Sequence, residues 1–304
     1  MSHVPSCRES LSPRCVRATR AAFDHIALLA TVLVAISCDR EPAVNTPLLP
    51  AALTNALDSL SNDEKSALGA RRVFFVHQSV GAGIVSGLRS LAAERPSLGI
   101  RIVRSARPDT VDGGAFIHAA LGENGSPIAK TDGFVQTLLV SGEKPVDIGM
   151  QKFCYADFER DIDPDRLFVD YEAKISLLRA KRPDVLVVHV TTPLLVRRRA
   201  SMTIVKDLVK SVIGRTTTND RMRGVRRFNQ LMRARYGTTN ALFDLAAIEG
   251  RGIDRRSEGA EKNEALAVEF ATPDGGHLNA LGQRVLAAEL LLFLAALPVQ
   301  LPRS

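Results

Sequence analysis

Tryptophan is absent from this 304-residue chain, and aromatic residues make up only 5% of it. An aromatic platform for sugar rings or a stacking surface for nucleobases is therefore not expected. Cysteine is scarce too. Cys7, Cys15 and Cys38 crowd into the N-terminal segment and leave Cys154 alone in the remainder. A domain that keeps only Cys154 can form neither an intramolecular disulfide nor a cysteine-based zinc site. No histidine pair has the His-Glu-x-x-His spacing, so no metal or other cofactor is expected. The charge-free apolar run Ile26 to Ser37 is well short of the ~20 residues a membrane-spanning helix needs. No internal repeat is visible.

The N-terminal segment reads as a targeting signal. Arg8, Arg14, Arg17 and Arg20 precede the apolar run, which ends in small residues before Asp39-Arg40-Glu41. Ala35-Ile36-Ser37-Cys38 resembles the lipobox of bacterial lipoproteins, with Ala35 where leucine is usual. That resemblance implies lipidation of Cys38 and a mature chain held at a membrane. Residues 1–38 are thus expected to be leader, residues 39–60 a proline-containing tether, and residues 61–304 the folded domain. The expected location is the cell envelope, in the periplasm or on the cell surface.

The net charge is +7, and it is unevenly placed. Between Arg197 and Arg235, twelve Lys or Arg face only Asp207 and Asp220. Such a block either meets anionic glycans and headgroups or forms solvated helices, and the second reading is the more ordinary. Nucleic acid is not an expected partner, since no recognition motif accompanies the charge. No obligate protein partner is implied.

Strands and helices alternate along the chain. Arg72–Val76, Gly99–Arg104, Val146–Met150, Val185–Val190 and Ala241–Leu245 read as strands. Helical spacing follows at Gly81–Glu94, Phe134–Val140, Asp165–Lys181, near Met202–Val212, at Asp220–Tyr236 and at Asn279–Leu297. Residues 107–130 and 249–272 read as long Gly-rich loops. This order predicts a three-layer α/β/α sandwich around a parallel five-stranded sheet.

Two segments carry chemistry. Pro273-Asp274-Gly275-Gly276-His277-Leu278-Asn279 puts a carboxylate and an imidazole on one loop before the last helix. His77-Gln78-Ser79-Val80-Gly81 follows the first strand directly, where a sharp strand-to-helix turn would present a hydroxyl. A serine hydroxyl needs a base near neutral pH, and the imidazole needs a carboxylate to hold its tautomer. Each group also has an ordinary role open to it, Ser79 as a helix cap and Asp274-Gly275 as a turn. Their conjunction favours catalysis. His77 and Gln78 are pocket candidates; His118, read in a loop, is expected at the surface. His189 is expected to be a satisfied core group, and Cys154 a small buried hydrophobe.

With these motifs in place, residues 71–297 resemble the SGNH, or GDSL-type, hydrolases, in a divergent form with His-Gln-Ser-Val-Gly in place of Gly-Asp-Ser. The resemblance implies a flavodoxin-like fold and a Ser79–His277–Asp274 triad. It also implies an oxyanion hole of the Ser79 N–H, a glycine N–H and an asparagine side chain. Gly122 and Asn124 best fit the last two, with Gln151 or Lys152 as alternative donors. The implied activity is hydrolysis of a carboxylic ester, such as an acetyl or short acyl group on an envelope carbohydrate or lipid. O-acyl transfer with the same triad and glycan binding without catalysis are the competing readings.

Overall fold

Local signals at the helix starts are realised as built caps. Ser61 accepts a hydrogen bond from the Glu64 N–H while the Glu64 carboxylate accepts from the Ser61 N–H, a reciprocal box that opens the helix Asn62–Ala70. Asp163 caps Pro164–Lys181 through the N–H groups of Asp165 and Arg166, and Thr217 with Asp220 boxes the start of Thr218–Tyr236. The computed structural model describes residues 47–142, 144–197, 215–252 and 265–298. The leader, Cys38 and the helix expected near Met202–Val212 lie outside the described residues.

Eight helices are described: α1 (Ala51–Asp58), α2 (Asn62–Ala70), α3 (Ser79–Glu94), α4 (Pro127–Val140), α5 (Pro164–Lys181), α6 (Thr218–Tyr236), α7 (Leu245–Arg251) and α8 (Ala280–Ala296). They flank one parallel sheet in the order β2-β3-β1-β4-β5-β6. Its strands are β1 (Arg72–Val76), β2 (Ile102–Arg104), β3 (Ala115–Ala119), β4 (Ile148–Gln151), β5 (Leu186–Val190) and β6 (Leu242–Phe243). The α/β/α expectation holds, with six strands where five were expected. The additional one is β3, inside the stretch read as a loop. All five of its residues are buried, so it lacks the alternation that marks a half-exposed strand. Its histidine and the flanking Gly113-Gly114 and Gly122 make the sequence look like a loop. β3 pairs directly with β1 in parallel register, Phe75 opposite His118.

Two further expectations are corrected. Residues 51–58, read as part of a tether, form α1, which buries Leu53 and Leu57 and packs on α8. Each such burial stabilises by about 1.5–3 kcal/mol, enough to hold a short helix on the domain. The stretch from 249, read as loop, instead completes α7, which Asp244 caps through the Ala247 N–H.

Register assigns the faces. Gly149 of β4 lies opposite Phe74, and a Cβ on Gly149 would meet Leu138 and Phe134 of α4. Phe75, His77 and His118 therefore project to the other face, where Arg89 of α3 reaches the His118 ring. On that face α3 and α8 run against each other at close range. A Cβ at Gly87 would overlap the backbone carbonyl of Gln283, so glycine is required for this approach. The basic helix α6 is tied down: Arg221 pairs with Glu159, Arg227 with Asp165, Arg233 with Asp244 and Arg235 with Glu172. These arginines serve helix packing. Among the described residues no helix is long and apolar enough to cross a membrane.

Candidate active site

The acid–imidazole loop is built by its own backbone. Gly275 takes φ +75°, a left-handed turn conformation that favours glycine. This lets the Gly276 and His277 N–H groups donate to Asp274 Oδ1 at 2.7 and 3.1 Å. Thr272 Oγ1 donates to the same oxygen at 2.8 Å. The other oxygen, Oδ2, accepts from His277 Nδ1 at 2.6 Å. Those backbone and side-chain donors hold the Asp274 carboxyl far below the ordinary carboxylate range. With Nδ1 committed as donor, Nε2 of a neutral His277 is left as the acceptor. The loop is closed behind by Thr272 N–H donating to the His277 carbonyl. Asn279 then caps α8 through the Gly282 N–H.

Ser79 is the first residue of α3, directly after β1, and is half-buried. The opening N–H groups of a helix have no partner within it and point toward developing negative charge. Ser79 Oγ lies 3.9 Å from Cys154 Sγ, beyond β4. Next to Cys154, the Tyr155 ring packs on the imidazole loop so closely that a Cβ on Gly276 would sit 2.7 Å from its hydroxyl. Val196, beyond β5, donates its N–H to the Gly275 carbonyl at 2.9 Å. Ser79, Cys154, Tyr155 and the Asp274–His277 loop thus gather at the carboxyl end of the sheet, where open α/β proteins place their ligands. Burial, with Cys154 and Asp274 nearby, pushes the Tyr155 phenol up to about 12, so it is neutral there.

Gly122 and Asn124 occupy an exposed turn beside this corner. Gln78 ties the turn to the serine, its Nε2 donating to the Gly122 carbonyl at 2.7 Å. The Asn124 Oδ1 accepts from Lys130 Nζ at 2.9 Å, which leaves the amide NH₂ as the donor end. Beneath lies a buried ion pair that the sequence did not disclose. Lys130 Nζ contacts both oxygens of Asp157 at 2.7 Å. Asp157 also accepts from the N–H groups of Gly125 at 2.8 Å and Cys154 at 2.7 Å. One carboxylate thereby joins the Asn124 turn to the Cys154 segment that touches Ser79. The available signal was Lys130 at helical spacing with Phe134 and Leu138, a charge in line with an apolar stripe.

The other candidates fall elsewhere. Gln151 is buried on the α4 face and donates to Thr131 Oγ1 at 3.0 Å, and Lys152 is buried with Nζ donating to the Phe153 carbonyl. Neither amide nor ammonium is an exposed donor. His118, expected at the surface, is a buried β3 residue for the reason given above. His77 is buried beside it. Burial lowers both, His77 to about 3 with the charges of His118 and Lys152 adding to it, and His118 to about 4 with those of Arg89 and Arg104. His189 is indeed a core group, held by Tyr171 and Arg179 at 2.7 Å each and stacked on Tyr236. Cys154 is buried as expected. No cluster of metal-ligating side chains is present among the described residues.

Glu249 of α7 lies fully buried below the imidazole loop. Its Oε2 accepts from the Leu194 N–H at 2.6 Å while Oε1 has no hydrogen-bond partner. Burial pushes its carboxyl up to about 8, against the opposing pull of Leu194 and Lys152. A carboxyl raised in the fold is protonated there but ionised in the unfolded chain, so stability falls as pH climbs from about 4.5 to about 8. Glu249→Gln is therefore expected to raise Tm at pH 8 and to change it little at pH 4.5. Thermal unfolding at the two pH values checks this; an equal shift at both would reject the assignment.

A cavity of about 160 Å³ lies at the opposite end of the sheet, lined by Arg71, Asp147 and Pro298 among others. Arg71 there is spent on the Leu297 carbonyl at the end of α8, and Asp147 accepts from the Arg72 N–H. No family model matches the chain, and no curated protein sequence matches it either. Solved structures do. One described as a platelet activating factor from Streptococcus pneumonia is 14% identical over 80% of this chain and 96% of its own, with a TM-score of 0.43. TesA is 14% identical over 72% of this chain and 94% of its own, TM-score 0.40. The salicylyl-acyltransferase SsfX3 from a tetracycline biosynthetic pathway is 14% identical over 72% of this chain and 53% of its own, TM-score 0.34.

Proposed function

We propose that this protein is a serine esterase that hydrolyses a carboxylic ester through Ser79, His277 and Asp274. The observation that carries the reading is the 2.6 Å bond between Asp274 Oδ2 and His277 Nδ1, at the end of the sheet where Ser79 opens α3. The roles follow from the chemistry of the groups. Ser79 Oγ attacks the ester carbonyl as its proton passes to His277 Nε2. The tetrahedral oxyanion is met by the Ser79 N–H, with the Gly122 N–H and the Asn124 NH₂ as further donors. His277 returns the proton to the leaving alcohol, and water then releases the acid by the same steps. Asp274 orients the imidazole and offsets its charge. The substrate class we propose is a short acyl ester of an envelope carbohydrate or lipid, met by a chain exported and anchored through Cys38.

Hydrolysis of p-nitrophenyl acetate, butyrate and octanoate by the purified protein tests this, beside Ser79→Ala and labelling with a fluorophosphonate. Expected are turnover that Ser79→Ala abolishes and an adduct mapped to the Ser79 peptide. Turnover no better than Ser79→Ala on every ester, with no adduct, sinks the reading.

A further inference from the structure

A hydrogen-bonded chain of three side chains closes a ring around the nucleophile turn. His77 follows β1, two residues before Ser79, and its Nε2 lies 3.0 Å from His118 Nδ1 on β3. His118 Nε2 lies 3.0 Å from an Arg89 guanidinium nitrogen. Arg89 belongs to α3, the helix that Ser79 opens. The path from His77 through Ser79 along α3 to Arg89 therefore returns to His77 through His118.

The donor chemistry gives this ring a direction. A guanidinium has donors only, so His118 Nε2 must accept. Neutral His118 then carries its hydrogen on Nδ1 and donates it to His77 Nε2. Neutral His77 must in turn carry its hydrogen on Nδ1. That Nδ1 is buried against Gly81 in the first turn of α3, with the Gln78 backbone nearby but no acceptor in good hydrogen-bonding geometry. A side chain at Gly81 would overlap the His77 Cβ, so the sequence keeps that space open for the imidazole. A buried donor without a partner is costly, and such groups persist where a site needs them.

We infer that Arg89 and His118 are positioning residues for Ser79: Arg89, by donating only, fixes the tautomer of His118 and then of His77, whose Nδ1–H face holds the first turn of α3 in one arrangement. The inference rests on the reading of Ser79 as the nucleophile. Arg89 is exposed, so its replacement leaves the core intact.

The test compares wild type with Arg89→Met and Arg89→Lys. ¹⁵N spectra of the histidine rings, assigned with His118→Asn, report the tautomers. Amide hydrogen exchange over Ser79–Gly81 reports the turn, and p-nitrophenyl butyrate kinetics report the consequence. Expected are Nδ1–H on His77 in wild type, a mixed or reversed tautomer in Arg89→Met, and faster exchange across the turn. With it, kcat falls about tenfold at little-changed KM, the scale of a small misplacement of a reacting group. Arg89→Lys, whose ammonium also only donates, restores the wild-type state. Nε2–H on His77 in wild type, or Arg89→Met with unchanged tautomer or unchanged exchange, overturns the inference. A protein inert to every ester counts against the esterase proposal alone, because the spectra and the exchange do not depend on turnover.

Discussion

Asp274→Asn is expected to lower kcat by roughly 10³–10⁴-fold while the fold survives. Three donors converge on Asp274 Oδ1: the Gly276 and His277 N–H groups and the Thr272 hydroxyl. An asparagine carbonyl can accept the two N–H groups while the Thr272 hydroxyl turns to the His277 carbonyl at 3.1 Å, so the loop keeps its shape. The asparagine NH₂ then stands where Oδ2 accepts from His277 Nδ1. Two donors cannot share that bond, so the imidazole shifts its hydrogen to Nε2. In that tautomer it cannot take the Ser79 proton. The loss belongs to kcat and not to KM, because no substrate contact is removed. Steady-state kinetics with p-nitrophenyl butyrate, and the rate of fluorophosphonate labelling, check the prediction. Activity within tenfold of wild type would show that Asp274 is a turn residue only. The depressed carboxyl has a second consequence. Asp274 stays ionised in the fold as pH falls through the range where the unfolded chain's carboxylate protonates, so its stabilising contribution is full above that range and is lost progressively below it. The loss is complete once the folded-state carboxyl itself titrates.

Lys130→Met and Asp157→Asn should each cost about 3–5 kcal/mol, because either leaves one partner of a fully buried pair without its counter-charge. For a domain of this size that corresponds to a fall in Tm of roughly 6–20 °C. The two changes together should cost less than their sum, since the double variant buries no net charge. A double-mutant cycle by chemical denaturation measures that coupling. Singles costing under about 1 kcal/mol, or additive costs, would reject the pair as a structural element. Activity is expected to fall as well at temperatures where the variants remain folded. Asp157 holds the Gly125 and Cys154 N–H groups, and Lys130 holds the Asn124 carbonyl oxygen. Without the pair, the turn carrying Gly122 and Asn124 loses its anchor to the segment touching Ser79.

The catalytic candidates were legible because their geometry is local. Asp274 and His277 bond across one turn that Gly275 permits, and Ser79 opens a helix straight after an apolar strand. β5 and α5 were equally plain, one a β-branched run and the other opened by Asp163-Pro164. What escaped was set by partners distant in sequence. β3 is defined by pairing with β1 and β2, not by any pattern of its own. Lys130 meets Asp157 only once α4 has docked against the segment that follows β4. Arg89 reaches His118 only because α3 folds back across β3. Residues 51–58 looked like a linker because two buried leucines are a weak signal until α8 is there to receive them.

The contact between α3 and α8 at Gly87 bears on how this protein can diversify. Ser79 stands at the head of one helix and His277 just before the head of the other, and the two backbones touch without an intervening side chain. The proposed nucleophile and base therefore ride on one stiff frame. The exposed turn that leaves the carboxyl end of β2, residues 105–107, holds neither group, so it can be lengthened, shortened or recoloured with charge without moving them. A scaffold so divided lets substrate preference drift by loop replacement while the proton-transfer geometry is inherited intact. On the proposed function, exchanging that turn is accordingly a route to new esters that leaves the spacing of the two helices alone.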